Sequence, residues 1–337
     1  MTKEEILGYY LVPSQRLIDD IQRIEGDILI LGAGGKMGPS MARLAVEAVR
    51  RSGTDKRVIA VSRFSDEKLV KDLQAAGVEI IKADLLNESE LQGLPDVPNV
   101  IYLAGYKFGT TGNEPYTWIM NTYLPAKVAE KYSNSRIVVF SSGNIYPLSP
   151  VTNGGSSEDI ATSPVGEYAQ SCLGRERMFQ YFSQKNHTPM LLYRLNYAND
   201  VSYGILLEIA RSVFEEKEID LCMGNVNVIW QGDANEIALR SLLHCSSPAR
   251  ILNVTGPETV SVRWVALEFA KMFGKKISFT STEEQNALLS NAAECFRLFG
   301  YPSVTLKQMM ELIGRWVMEG GKTLNKPTHF QEREGKY

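Results

Sequence analysis

Short apolar segments alternate with amphipathic segments over the first two-thirds of the chain. The apolar segments lie at residues 27–31, 57–63, 78–85, 100–104, 136–141 and 190–195. Between them, apolar residues recur at helical spacing near residues 66–76, 116–132 and 167–185. Short strands that are apolar on both faces and separated by helices are typical of a parallel sheet covered on both sides. The pattern predicts an α/β protein with a Rossmann-like, doubly wound parallel sheet.

The pattern changes beyond Asn199. Helices are predicted near residues 205–216, 234–244, 262–273 and 283–299, with only short β candidates between them. We therefore expect a sheet domain over residues 27–200, joined by residues 226–260, and a smaller, discontinuous mixed domain over residues 201–330. Residues 1–26 predict a helical N-terminal extension, with Ser14 as a candidate N-cap. Ligands of open parallel sheets lie beyond the carboxyl ends of the strands, so the C-terminal domain is expected to cap that edge and bind substrate.

Charge and composition narrow the range of partners. The chain has 337 residues, a net charge of -3 and a sequence pI near 5.8, without a dense block of Lys and Arg. This balance disfavours nucleic acid as a partner. The first residues contain no apolar core of signal-peptide length, and no later segment approaches the uninterrupted apolar length of a membrane span. We expect a cytoplasmic protein that has no membrane contact and binds a small molecule.

Metal and hydrolase chemistry are both disfavoured. The four cysteines lie at positions 172, 222, 245 and 295, without a CxxC pair, and the chain has only three histidines. Such scattered residues predict no metal site and no disulfide framework. No histidine lies beside a candidate nucleophile in the sequence, so a Ser-His-Asp triad is not expected.

A glycine cluster lies between the first predicted strand and a helical segment. It comprises Gly32, Gly34, Gly35, Lys36, Met37 and Gly38. The absence of side chains lets the backbone approach a pyrophosphate, and a helix N-terminus favours its negative charge. The order of strand, glycine turn and helix is that of a dinucleotide-binding site. The alternative is a tight turn that only packs the helix on the sheet.

The end of the second predicted strand bears on the choice of cofactor. It reads Ser62-Arg63, without the carboxylate that would bind the ribose 2′-OH of NAD. A guanidinium and a hydroxyl suit a 2′-phosphate, so NADP(H) is favoured and NAD(H) is admitted. Alternatively, Arg63 stacks on adenine or faces water. Asp84-Leu85 follows the third strand, where Asp84 either meets the adenine amino group or caps the next turn.

A longer series of motifs follows in a fixed order along the chain. They are the GxxGxxG pattern at Gly32, Gly35 and Gly38, then Asp84-Leu85, Leu103-Ala104-Gly105, Ser141-Ser142 with Ile145-Tyr146-Pro147, and Tyr168 on a helix. Together they resemble the extended short-chain dehydrogenase/reductase family, in its branch of NAD(P)-dependent sugar epimerases and dehydratases. The resemblance runs from residue 27 to about residue 316.

The resemblance assigns roles to several residues. Tyr168 would exchange a proton with the substrate oxygen while hydride moves at the nicotinamide, and Ser142 would steady that oxygen. Both also have plainer explanations, a core tyrosine and a small residue at a strand end. Further cofactor contacts are implied for Ala104, Gly105, Tyr168 and Asn196, and substrate contacts for Lys107, Asn144 and Asn196. Asn196 alternatively forms an Asx turn. Asn121 would order the site or bond a neighbouring carbonyl, and the helices at 116–132 and 167–185 would form a homodimer.

The chain departs from this family at one position. The pattern Tyr-x-x-x-Lys reads Tyr168 to Cys172, so the lysine that lowers the tyrosine pKa is absent. Arg175 or Lys107 would replace the missing charge, unless both face water. Gly143-Asn144 stands where dehydratases have an acidic pair, which disfavours elimination of water.

Two functions remain open at this stage. The first is an NAD(P)-dependent oxidoreductase or epimerase that acts on a sugar, a nucleotide sugar or a related hydroxy or carbonyl compound. The second is a non-catalytic or weakly active NAD(P)-binding regulatory or scaffold protein, a reading motivated by Cys172.

Overall fold

The structure is a computed structural model that describes Glu5, Gly8 and residues 11–107 and 109–336. The other positions in the first ten residues belong to the expected N-terminal extension and lie outside the described residues. Phe108, in the loop that follows the fourth strand, and Tyr337 also lie outside them.

The central element is a seven-stranded sheet. Its strands are β1 (Ile28–Leu31), β2 (Val58–Ser62), β3 (Glu79–Lys82), β4 (Asn99–Tyr102), β5 (Arg136–Ser142), β6 (Met190–Leu195) and β7 (Arg250–Val254). Their order in the sheet is β7-β6-β5-β4-β1-β2-β3. The pairs from β3 through β5 are parallel, with Ile28 opposite both Val58 and Asn99. Chain order reverses between β1 and β4, which confirms the predicted Rossmann-like α/β fold.

Twelve α-helices occur within the described residues. They are α1 (Gln15–Arg23), α2 (Gly38–Ser52), α3 (Glu67–Ala75), α4 (Glu88–Gln92), α5 (Glu114–Trp118), α6 (Leu124–Lys131), α7 (Gly166–Asn186), α8 (Ile205–Phe214), α9 (Gln231–Arg240), α10 (Val262–Phe273), α11 (Ala293–Phe299) and α12 (Leu306–Met318). A π-helical turn, Ile119–Tyr123, joins α5 to α6. The predicted helix at 116–132 is therefore interrupted.

The chain divides into two compact units. Unit 1 comprises residues 1–141, 170–193 and 235–251, and unit 2 comprises residues 142–169, 194–234 and 252–337. This division differs from the expected one, because residues 142–169 belong to unit 2. Only residues 235–251 of the expected segment 226–260 belong to unit 1.

Unit 1 is built around the apolar strands of the sheet. All four residues of β1 are fully buried, as the continuous apolar run predicts. The N-terminal helix α1 belongs to this unit. Its N-cap is Ser14, whose side chain accepts a hydrogen bond from the backbone N–H of Leu17, as the sequence predicted.

Among its described residues, unit 2 contains four whole α-helices, α8, α10, α11 and α12, together with pairs of two-residue strands and the first turns of α7 and α9. Helix α10 follows Ser261, whose side chain accepts from Trp264 N–H, and it ends at Gly274 in the left-handed conformation. The prediction of one helix over residues 283–299 is wrong. Residues 286–287 pair with 149–150 as antiparallel strands, and the helix is confined to Ala293–Phe299. Helix α12 was not predicted, although Thr305 and Gln308 form a capping box at its start.

Candidate functional site

The glycine loop has the geometry of a cradle for an anion. Gly32 has φ +83°, and a Cβ on it would lie 2.6 Å from the backbone nitrogen of Ala104. A Cβ on Gly38 would come within 2.5 Å of Ala33 Cα, so this glycine lets α2 approach the strand. Gly34 and Gly35 are exposed between them. Only glycine fits the first two of these positions without displacing the backbone.

The start of α2 is also suited to an anion. Met37 occupies the N-cap and makes no side-chain hydrogen bond to the first turn, where Pro39 lies. Backbone N–H groups at a helix start that no side chain caps are free to bind a phosphate. The glycine loop and the start of α2 therefore fit a pyrophosphate. Lys36 and Met37 are both half-buried beside it.

The turn after β2 lies against the glycine loop. A Cβ on Gly34 would be 2.7 Å from Ser62 Oγ and 3.6 Å from the Phe64 ring. Arg63 is exposed in the same turn, whereas Phe64 is buried with φ +43°. A positive φ is uncommon for a bulky residue and is found most often where function constrains the backbone. The structure therefore brings Ser62 to the loop and leaves the Arg63 side chain at the surface.

Asp84 makes the turn-capping contact considered as the alternative. Its Oδ1 accepts from Leu86 N–H at 3.0 Å, and its own N–H donates to Glu90 Oε2 at 2.7 Å. Leu85 is buried. These two hydrogen bonds within the protein hold the turn after β3.

The turn after β4 is held by Asn121 from the π-helical turn. Asn121 is fully buried, and its Oδ1 accepts from Tyr106 N–H at 2.8 Å. Its Nδ2 donates to Tyr106 O at 2.8 Å and to Ser171 Oγ at 3.0 Å. Ala104 is buried and Gly105 is exposed in this turn, while Lys107 is half-buried. Asn121 thus orders the turn that carries the predicted residues Ala104 and Gly105.

Arg175 is buried in unit 1 and does not face water. Its Nη1 donates to Phe140 O at 2.9 Å, and its Nη2 donates to Asn121 Oδ1 at 2.7 Å. The next residue, Glu176, is fully buried and accepts from Ser141 Oγ at 2.6 Å. Cys172 is also fully buried on this helix.

In unit 2, Ser142 lies in a tight turn at the end of β5. Its Oγ accepts from Asn144 N–H at 3.1 Å and lies 3.1 Å from Asn144 Oδ1, to which it donates. Ser142 is 9% exposed and Asn144 is half-buried. Tyr168 is half-buried in the first turn of α7. Both predicted hydroxyls thus lie in unit 2.

Asn196 lies against the same turn. It is 1% exposed, and a Cβ on Gly143 would be 2.9 Å from Asn196 Oδ1 and 3.1 Å from Ser290 Oγ. Ser290 is buried, and its hydroxyl has no hydrogen-bond partner among the described residues. A buried hydroxyl without a partner marks a position where a ligand or water would bind. The sequence did not single out Ser290, because a lone serine before a short helix carries no motif.

A second polar cluster in unit 2 was also missed. Arg194 is 2% exposed, and its Nη1 donates to Tyr146 Oη at 2.5 Å, which in turn donates to Asn253 Oδ1 at 2.9 Å. Asn253 N–H donates to Glu158 Oε1 at 2.8 Å. Burial raises the pKa of Glu158, and the nearby Glu294 raises it further. These residues lie far apart in sequence, so no local pattern points to them.

Two kinds of feature do not occur within the described ranges, a membrane-spanning helix and a cluster of metal-ligating side chains. No helix there combines the length and apolar character required to cross a bilayer. No group of three or more His, Cys, Asp or Glu side chains there is arranged to hold a metal ion.

The fold is similar to that of three solved structures described as epimerases. The chain is 17% identical to UDP-glucuronic acid 4-epimerase from Bacillus cereus, solved in complex with NAD, covering 88% of this chain and 100% of that one with a TM-score of 0.71. It is 18% identical to the epimerase Mth375 from Methanothermobacter thermautotrophicus, covering 92% and 97% with a TM-score of 0.73. It is 13% identical to UDP-glucose 4-epimerase from Thermotoga maritima, solved with UDP-glucose. That match covers 87% of this chain and 99% of the other, with a TM-score of 0.69.

These similarities establish the fold. No family model matches the sequence, and no curated protein matches it significantly.

Proposed function

We propose that the chain is an NAD(P)-dependent oxidoreductase or epimerase of a sugar, a nucleotide sugar or a related hydroxy or carbonyl compound. The glycine loop carries the proposal. Gly32 leaves no room for a side chain against Ala104, Gly34 and Gly35 are exposed, and the start of α2 has no side-chain cap. Two of the similar structures, the epimerases from Bacillus cereus and Thermotoga maritima, are described as bound to NAD and to UDP-glucose respectively, which supports this substrate class.

Each proposed residue has a distinct task. The bound nicotinamide would supply hydride chemistry. Tyr168 would hold and move the proton of the substrate hydroxyl, and Ser142 would position that oxygen with its own hydroxyl. Asn196 and Asn144 would bind polar groups of the substrate, as would Lys107. Asn196 and Tyr168 would also contact the nicotinamide side of the cofactor.

For the cofactor we retain a preference for NADP(H) over NAD(H). Arg63 is exposed beside Ser62, and no carboxylate stands at this strand end. A guanidinium and a hydroxyl would pair with a 2′-phosphate through charge-assisted hydrogen bonds. The Bacillus cereus structure holds NAD, so direct titration with both cofactors decides this point.

A non-catalytic or weakly active dinucleotide-binding protein is the second candidate. The observation that favours it is Cys172, a fully buried thiol one helical turn after Tyr168, where the resembling family has a lysine. A thiol carries no positive charge, so Cys172 cannot do what a lysine at this position would do to favour the ionised tyrosine. This candidate predicts cofactor binding without turnover.

The test combines cofactor binding with turnover. NADH and NADPH are titrated by fluorescence, and nicotinamide absorbance or product isomers are then followed with a panel of UDP-sugars. Tyr168→Phe is expected to lower kcat at least ~100-fold and to weaken cofactor affinity much less, by the loss of one hydrogen bond worth about 0.5–1.5 kcal/mol. The matched control is Tyr181→Phe, because Tyr181 lies on the same helix and is 56% exposed. Absence of binding to both NADH and NADPH would contradict both candidates.

We further propose a homodimer whose interface is formed by two parts of the chain, the segment from α5 through the π-helical turn to α6, and helix α7. Trp118, Ile119, Tyr123 and Tyr181 are exposed on these elements, and such large apolar side chains at a surface favour association. Sedimentation equilibrium of the wild type and of Tyr181→Glu tests this, with a monomeric wild type as the contradicting result. We also propose that the protein is cytoplasmic. Its four cysteines are free thiols, and thiols stay reduced in that compartment.

A further inference from the structure

A buried positive charge lies directly behind an exposed turn in unit 1. Arg175 is 6% exposed, and a Cβ built on Gly105 would lie 2.7 Å from its Nη2. Gly105 itself is exposed at the carboxyl end of β4. A single residue without a side chain therefore separates the guanidinium from the surface at this edge of the sheet.

Two protein groups hold the guanidinium in this position. Phe140 O, at the end of β5, accepts from Nη1 at 2.9 Å, and Asn121 Oδ1 accepts from Nη2 at 2.7 Å. The Asn121 side chain also accepts a hydrogen bond from the backbone N–H of Tyr106 and donates one to the backbone C=O of Tyr106. The charge and the turn are thus parts of one hydrogen-bonded network. An arginine keeps its charge at every pH at which proteins fold.

The topology bears on where a dinucleotide would bind. In doubly wound sheets a dinucleotide crosses the point where strand order reverses, which here lies between β1 and β4. Given the proposed function, the adenosine ribose would be bound at the end of β2, and the nicotinamide half would then lie on the side of β4 and β5.

The two redox forms of the nicotinamide differ in charge. The oxidised ring is a cation and the reduced ring is neutral, so a fixed positive charge nearby repels only the oxidised form. This repulsion is weakly screened by salt, because Arg175 is buried.

We propose that Arg175 is the cation of the nicotinamide half-site. It positions the Gly105 turn through Asn121, and its charge makes the site bind reduced cofactor more tightly than oxidised cofactor. The inference rests on the proposed function. It also accounts for a chain that has Cys172 where the resembling family has lysine, because the cation then comes from a residue three positions further along the same helix.

The experiment measures the ratio of two dissociation constants in the purified full-length chain. NADH and NADPH are titrated by fluorescence, and NAD⁺ and NADP⁺ are measured by competition against them. The variants are Arg175→Met, Arg175→Gln and Arg175→Lys. Arg177→Met is the control, because Arg177 is exposed two residues further on the same helix and its loss changes the net charge equally.

The proposal predicts that the ratio Kd(oxidised)/Kd(reduced) falls about tenfold in Arg175→Met and Arg175→Gln, as for unit charges ~10 Å apart at an effective dielectric constant of ~20. Arg175→Lys keeps the charge but not the two-pronged contact, so it should bind both forms more weakly at an unchanged ratio. Arg177→Met should match the wild type.

Two contrary outcomes have different meanings. If the wild type binds the cofactors and the ratio stays unchanged in both Arg175→Gln and Arg175→Met, Arg175 is only structural and this inference is wrong. If the wild type binds no nicotinamide cofactor, the proposed function is wrong and the inference falls with it. Arg175→Gln retains an amide donor, so it tests the charge even if Arg175→Met does not fold.

Discussion

Arg240 Nε donates to Asp20 Oδ2 at 2.7 Å, and this ion pair is buried. Asp20 lies on α1 and Arg240 at the end of α9, so the pair joins two helices that are 220 residues apart in sequence. Ser14, at the start of α1, bonds Glu236 on α9 through both its backbone N–H, at 3.1 Å, and its hydroxyl, at 2.5 Å. The N-terminal helix is therefore an integral part of unit 1.

Asp20→Ala should strongly destabilise unit 1. Removing one partner of a buried ion pair costs about 3–5 kcal/mol when the other charge is left uncompensated. Here the loss should lie near or below the lower end of that range, because Glu236 Oε1, 3.8 Å from Arg240 Nη1, still compensates part of the charge. Urea unfolding at neutral pH measures this loss. The control is Arg297→Ala, which removes an exposed pair with Glu294 and should cost less than about 1 kcal/mol. Equal effects of the two substitutions would show that the Asp20 pair does not anchor α1.

Gly32→Ala and Gly53→Ala form a matched pair. Both glycines have a positive φ, but a Cβ on Gly53 meets nothing within 4 Å, whereas a Cβ on Gly32 meets the backbone of Ala104. Gly53→Ala should cost only the conformational strain of about 1–2 kcal/mol. Gly32→Ala should add about 1–3 kcal/mol of steric strain and abolish cofactor binding. Thermal unfolding and NADPH fluorescence measure the two effects, and normal binding by Gly32→Ala would refute the assignment of the loop.

Much of the fold was predictable because its signals are local. The apolar pattern predicted the bounds of β6 and α10 as the structure has them. The glycine turn was predictable because its residues are contiguous in the sequence. Helix α12 also had a local signal that was overlooked, the capping box of Thr305 and Gln308. The interruption around Asn121 also had a local signal, Pro125 at the start of α6, because proline cannot donate to the carbonyl four residues earlier. The hydrogen bond of Asn121 to Tyr106, fifteen residues away, had no such signal.

The polar clusters depend on contacts that one sequence does not reveal. Tyr146, Arg194 and Asn253 come from three separate segments and meet only in the folded chain. Arg175 was one of two candidates for the missing positive charge, and a position facing water was the alternative, since most arginines are exposed. Its burial follows from the carbonyl of Phe140 and the amide of Asn121, which compensate its charge.

Arg63→Ala tests the choice between the two cofactors. If Arg63 binds a 2′-phosphate, its loss removes a charge-assisted hydrogen bond worth about 1.5–3 kcal/mol, or roughly 10- to 150-fold in NADPH affinity. NADH affinity should change less than ~twofold. Lys71→Ala, at an exposed position on α3, removes the same charge and is the control. A wild type that prefers NADH, together with an unchanged NADPH affinity in Arg63→Ala, would contradict the assignment.

Glu47 makes the stability of unit 1 depend on acid pH. Its hydrogen bond to Arg50, aided by one to Arg51, lowers its pKa from the ordinary 4.5 to about 2. A carboxyl whose folded pKa is depressed stabilises the fold above its unfolded pKa, and this stabilisation is lost as pH falls from about 4.5 to about 2. The destabilisation caused by Glu47→Gln should therefore be fully present at pH 6 and shrink steadily below pH 4.5, measured by urea unfolding. Arg50→Ala should move the NMR titration midpoint of Glu47 upward, because it removes the largest cause of the shift. A Glu47 midpoint near 4.5 in the wild type would contradict the prediction.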